Sequence, residues 1–196
     1  IVDENLPAEN LDEIRRDRPQ IVSKYLDPVL RDLDGGRAAS GATAASAFQV
    51  IRRDLPVDPQ VVEKLSRILT DLDADDFATR RDAARALNEL GHPAAVALRE
   101  VDLEAHSAEV RAAIDAFLAP YLPLPVELAE KLYDDPVFLL ESVAVVDGEL
   151  RPALVARLTK VLNREIAIDP GAAGPELERQ VAEERRKLES ATPVDR

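Results

Sequence analysis

The stretch TDLDADDFATRRDAARALNELG, Thr70 to Gly91, decides how this chain is read. Asp71, Asp73 and Asp75 alternate, and Asp82 stands twelfth from Asp71, which is the ligand spacing of a calcium loop. Asp76 occupies the place where such a loop needs glycine for its sharp turn, and Asp82 replaces the usual bidentate Glu. Helical spacing also runs through the second half, at Phe77, Arg80, Ala84, Leu87 and Gly91. A residue cannot lie on that helix and also wrap an ion. The carboxylates are therefore read as helix-start groups, close to unpaired N–H donors and the positive end of the helix dipole. No metal and no cofactor is assigned.

The same reading extends along the chain. Pro19, Pro59, Pro93, Pro125, Pro136 and Pro175 each stand just ahead of an amphipathic run, where the missing N–H costs nothing. Asp58 and Asp135 precede two of these prolines as N-caps, and Ser107 caps the run that begins near Val110. Apolar stripes such as Val61, Leu65, Ile68, Leu69 and Leu72, or Val110, Ile114, Phe117, Leu118 and Tyr121, mark helix faces that need a neighbour. The spacing predicts helices over 8–17, 19–33, 42–55, 58–72, 75–90, 93–103, 107–121, 125–134, 136–146, 149–164 and 174–190, with Pro28 kinking the second. ESVAVVDG, Glu141 to Gly148, is the best strand candidate, but it continues the helical pattern from Pro136.

Composition agrees with packed helices. Of 196 residues 46% are hydrophobic, mostly Ala, Leu and Val, and only 4% are aromatic. A net charge of −13 repels a phosphate backbone, so nucleic acid is not expected as a partner, although a local basic strip is compatible with it. The absence of Cys removes disulfides and thiolate metal sites. No run reaches the ~20 apolar residues of a membrane span, so no membrane insertion is expected. The absence of Met, including a first one, is expected of a trimmed or mature chain, cytoplasmic or exported with its signal removed.

Arg80, Arg111 and Arg151 can be placed over one another, 31 and 40 residues apart. Ala83, Ile114 and Leu154 follow at three residues, Leu87, Leu118 and Leu158 at seven, and Leu90, Tyr121 and Val161 at ten. Equivalent helix faces used three times imply units that stack to bury what none can bury alone. DADDFATRRDAARALNELGHPAAVALREV, followed by SAEVRAAIDAFLAPY, resembles a HEAT-type or armadillo-like helical repeat, and DGELRPALVARLTKVL repeats its acidic-then-Arg opening with Asp147 and Arg151. The resemblance is best over 71–121 and fair over 147–164. It implies an all-α solenoid of antiparallel helix pairs that binds other proteins. It also implies a structural ladder for Arg80, Arg111 and Arg151, each paired with an Asp of a neighbouring repeat, ahead of a row of guanidinium groups that bind carboxylate or phosphate.

Three regions are expected: 1–57 packed on the repeats, a core of 58–167, and 168–196 as a linker and polar capping helix. A piece of 58–164 is expected to fold alone. His92 in its Gly-His-Pro turn and His106 before Ser107 are read as solvated, and acid pairs such as Glu183 with Glu184 as surface groups. The expected function is a non-enzymatic interaction or scaffold module for a protein partner. Its binding surface would lie along 93–103, 125–134 and 149–164, an apolar strip with a charged rim. Two rivals are a structural or regulatory domain of a larger protein and a nucleic-acid-processing HEAT-like protein; the few aromatics and the charge disfavour the second.

Overall fold

A computed structural model of the chain describes residues 41–191; the expected helices 8–17 and 19–33, with the kink at Pro28, lie outside them. The described residues form nine α-helices and no strand. They are α1 (Ala44–Ile51), α2 (Pro59–Leu72), α3 (Phe77–Leu90), α4 (His92–Ala97), α5 (Ala108–Leu118), α6 (Val126–Leu132), α7 (Pro136–Val145), α8 (Arg151–Leu162) and α9 (Pro175–Ala191). The strand candidate at Glu141 is helical to Val145.

The starts are chemical. Asp58, Asp76, Ser107 and Asp135 accept hydrogen bonds from N–H groups of the first turns of α2, α3, α5 and α7. These donors have no intrahelical partner, so the caps satisfy groups that would otherwise be open. At α1, Thr43 Oγ1 accepts from Ser46 N and Ser46 Oγ accepts from Thr43 N, a reciprocal capping box. Pro59 and Pro136 take the first helical position of α2 and α7. Gly91 ends α3 at φ 59° and ψ −136°, a conformation that a side chain at Cβ would resist.

Two segments depart from their expected form. The helix expected over 93–103 stops at Ala97; a 3-10 turn covers Leu98–Glu100 and another Leu103–Ala105. The break falls where the Asp102 carboxylate takes the Glu104 N–H and starts the second turn. The stretch expected to be a linker is packed: Ile168 and Ala172 are buried, and Asp169 N donates to Gln180 of α9.

Two apolar cores result. One gathers α2, α3, α4 and α5 around Leu65, Leu87, Val110 and Ile114, and Phe48 of α1 enters it. The other gathers α6, α7, α8 and α9 around Leu139, Leu140, Val143, Leu154 and Leu158, with Ala47, Val50 and Ile51 of α1. Neighbouring positions of one short helix therefore serve both cores. α2 packs on α3, and α7 packs on both α8 and α9. The aligned residues Ala83, Ile114 and Leu154 are all buried; at the next matched position Leu87 and Leu158 are buried and Leu118 is half-buried. No helix among the described residues is long and apolar enough to cross a membrane.

Candidate functional site

The aligned arginines do not meet at one place. Arg80, fourth in α3, donates to the carbonyls of Ala74 and Asp75 just ahead of its own helix, at 2.7 and 2.9 Å. Arg111, fourth in α5, reaches back to Glu104 at 3.2 Å. Arg151 begins α8 and donates to the carbonyls of Ala172 (2.7 Å) and Val146 (3.2 Å). Each ties the segment before its helix to that helix. The recorded partners are carbonyls and one Glu, where the resemblance implied an Asp of a neighbouring repeat.

The aspartates of the opening stretch are spread over two helices. Asp71 lies in the last turn of α2, Asp73 caps its end, Asp76 caps α3 and Asp82 pairs with Arg81 and Arg85 along α3. Hydrogen bonds from Thr79 and Ala78 outweigh a small burial effect and lower the Asp76 carboxyl below its ordinary value. Among the described residues no three His, Asp or Glu gather as a metal site would require. His92 is exposed, yet its ring packs 4.6 Å from Phe48 and 5.1 Å from Tyr121.

Glu184 corrects the reading of the acid pairs as surface groups. It is 1% exposed. Its Oε1 accepts from Lys187 Nζ (2.8 Å) and Ala167 N (3.3 Å), and Arg164 Nη1 lies 2.7 Å from Oε2. Burial by itself would raise this carboxyl; the bonds from Lys187, Arg164 and Ala167 together hold it below the ordinary glutamate range. The signal was in the sequence, because Leu177, Val181, Glu184 and Leu188 share one stripe of α9. That helix packs on α7 through this stripe and is not a detached arm.

Of the segments expected to line a binding surface, 125–134 faces the end of α1, while 93–103 and 149–164 reach that region through individual residues. Arg52 Nε donates to Ala95 O of α4 at 2.6 Å, and Arg99 returns a bond to Arg52 O at 2.6 Å. Tyr133, which follows α6, is buried with the Arg53 guanidinium carbon 2.9 Å and the Arg157 guanidinium carbon 3.5 Å from its ring centre. Two groups that close to one centre can only occupy opposite faces, so the ring is sandwiched. Arg157, from α8, also donates to Tyr133 O and pairs with Asp134. The Tyr133 hydroxyl donates to Asp54 at 2.8 Å, and burial, reinforced by Asp54 and opposed by Arg53, pushes its pKa up. Gln49 of α1 holds the turn before α6: its Nε2 donates to Leu124 O at 2.8 Å and its Oε1 accepts from Leu124 N at 2.7 Å.

The end of α1, the turn before α6, α6 itself and Tyr133 line a recess of about 260 Å³. Val50, Leu122, Val126 and Ala129 supply its apolar surface, and Arg52, Arg53, Gln49, Tyr133 and Glu130 its polar edge. Val126 is 66% exposed. Arg52 is pushed below the usual guanidinium range by burial and by the nearby charge of Arg99. Nothing in the sequence spacing tells that Tyr133 would come to rest against the adjacent Arg52 and Arg53, 80 residues on from Arg53. No family model, curated protein or solved structure matches the chain.

Proposed function

We propose that the chain is a protein-interaction module, HEAT-like in its stacking, that holds a partner in the recess at the end of α1 and does not transform a substrate. The observation that carries this reading is the recess itself, lined by apolar side chains and by Arg52 and Arg53, set between the end of α1 and α6. An apolar centre excludes water from a contact while a charged edge selects who makes it. The ionisable groups at hand suit holding better than turnover. They are arginines, Glu130 and a tyrosine whose hydroxyl is pushed up by burial. At about 260 Å³ the recess also falls below the ~300–1,000 Å³ of small-molecule pockets. Repeat-type stacking is supported by the equal burial of Ala83, Ile114 and Leu154.

The test is paired affinity capture from the native source with the unaltered chain and with Val126→Asp, whose position is exposed enough to accept the change without refolding. A protein held by the first and lost by the second is the expected result. If every captured protein is retained equally by both, the recess is not the binding surface.

A further inference from the structure

We propose that the recess takes an isolated carboxylate set among aliphatic side chains in a peptide segment of the partner, with Arg53 as the residue that grips it. This rests on the interaction-module reading above.

Arg53 is the first reason. Its guanidinium carbon lies 2.9 Å from the centre of the Tyr133 ring, and a fork held in place loses less entropy when it binds. The Tyr133 hydroxyl is within reach of one of its N–H groups; a guanidinium has five, and those left over can take a carboxylate. Among the described residues Arg53 forms no ion pair with a carboxylate, while Arg99 is paired with Glu100 and Arg157 with Asp134. Asp54, its neighbour in sequence, receives the Tyr133 hydroxyl on both oxygens.

Arg52 is the second reason. It is half-buried, anchored to a carbonyl through Nε, and repelled by Arg99. Arg52 and Arg99 stand close where water is partly excluded, and Glu100 answers Arg99 but not Arg52. An incoming carboxylate relieves that crowding. Glu130, the one acid that lines the recess, argues against a run of acids and for a single one. The remaining floor of Val50, Leu122, Val126 and Ala129 calls for aliphatic flanks.

The experiment is selection from a random dodecapeptide display library on the full chain, followed by fluorescence anisotropy with the synthetic peptides enriched. Peptides with one Asp or Glu beside Leu, Ile or Val are expected. Their affinity should fall about tenfold or more in Arg53→Glu and in Val126→Asp, and should hold in Arg185→Glu, which lies on α9. Circular dichroism confirms that each variant is folded; Arg53 is exposed, and Arg53→Gln serves as the milder form if Arg53→Glu melts early. Enriched peptides without a shared acid, or binding unchanged by Arg53→Glu and Val126→Asp, overturn the carboxylate inference and leave the interaction reading in place. A library that yields no binder at all overturns the carboxylate inference, while the interaction reading stands or falls on the capture experiment.

Discussion

The two cores are built from different materials. Around α2 to α5 the buried side chains are wholly apolar: Leu, Ile, Val, Ala and Phe. Around α6 to α9 the interior also contains Ser142, Glu184 and the Arg151 Nε, and neither Ser142 Oγ nor Arg151 Nε has a hydrogen-bond partner. An apolar core is tolerant, since residues of similar volume can replace one another at small cost. A core with polar atoms depends on particular partners, because a buried donor or acceptor left open costs about 1–3 kcal/mol. The second half is thus the more specified and the more easily broken by one change, and α1 ties its fate to that of the first.

The largest effect expected is from removing that tie. A chain of 58–164 lacks Phe48 from one core and Ala47, Val50 and Ile51 from the other, along with the α9 stripe. We expect it to show no cooperative melt by circular dichroism, whereas 42–191 should unfold as a helical unit. This reverses what helical spacing alone led us to expect of 58–164. A cooperative melt of 58–164 would show that α1 is dispensable.

Single truncations come next. Phe48→Ala should cost about 3–5 kcal/mol and Leu139→Ala about 2–5 kcal/mol in urea titrations. Fluorotyrosine labelling lets NMR watch both halves, through Tyr121 beside the first core and Tyr133 in the second. If α1 couples the cores, both signals should move to a lower midpoint together in either variant. Two separate midpoints would break the coupling.

Glu184 sharpens the contrast with a smaller effect. Glu184→Ala removes one acceptor from each of Arg164, Lys187 and the Ala167 N–H, of which Lys187 keeps Glu183 and Arg164 keeps the Glu165 carbonyl, and should cost about 1–3 kcal/mol. Its carboxyl is held low in the folded chain, so its contribution is full above the ordinary glutamate pKa of about 4.3 and is lost as pH falls through the lower folded value. Glu184→Gln should therefore flatten the acid side of the stability curve, as read from melting temperature against pH. An unchanged acid slope would remove Glu184 as its source. Smallest is the cap of α7: Asp135→Ala, which frees the Val137 and Phe138 N–H groups, should cost about 1 kcal/mol in the same melts.

Much of this was legible because helix starts are local chemistry. Asp58, Ser107 and Asp135 cap where their spacing to proline or apolar runs said they would. The matched triplet Ala83, Ile114 and Leu154 marked buried positions correctly, since periodicity reports which face is hidden. The register of α3 was read less well. Phe77 falls on the helical spacing with Ala84 and Leu87 but is 69% exposed, and the buried pair is Ala83 and Leu87. Periodicity does not report which face meets which. The role of α1 as a shared wall, the burial of Glu184 and the stack on Tyr133 all depend on contacts between distant segments. Of the candidate recess only 125–134 lies in a segment expected to bind; its other residues, Arg53 above all, were set by tertiary packing.

Gln49 has a consequence of its own. Its amide meets the Leu124 peptide group with one donor and one acceptor, as two main chains meet across a sheet. Pro125 opens α6 with no side-chain cap, so this borrowed peptide group is what orients the helix that presents Val126 and Ala129. Exchanging the amide for the near-isosteric acid, Gln49→Glu, would set an anion against a carbonyl and let the turn drift. Whatever docks on that helix would lose its footing through an atom it never touches.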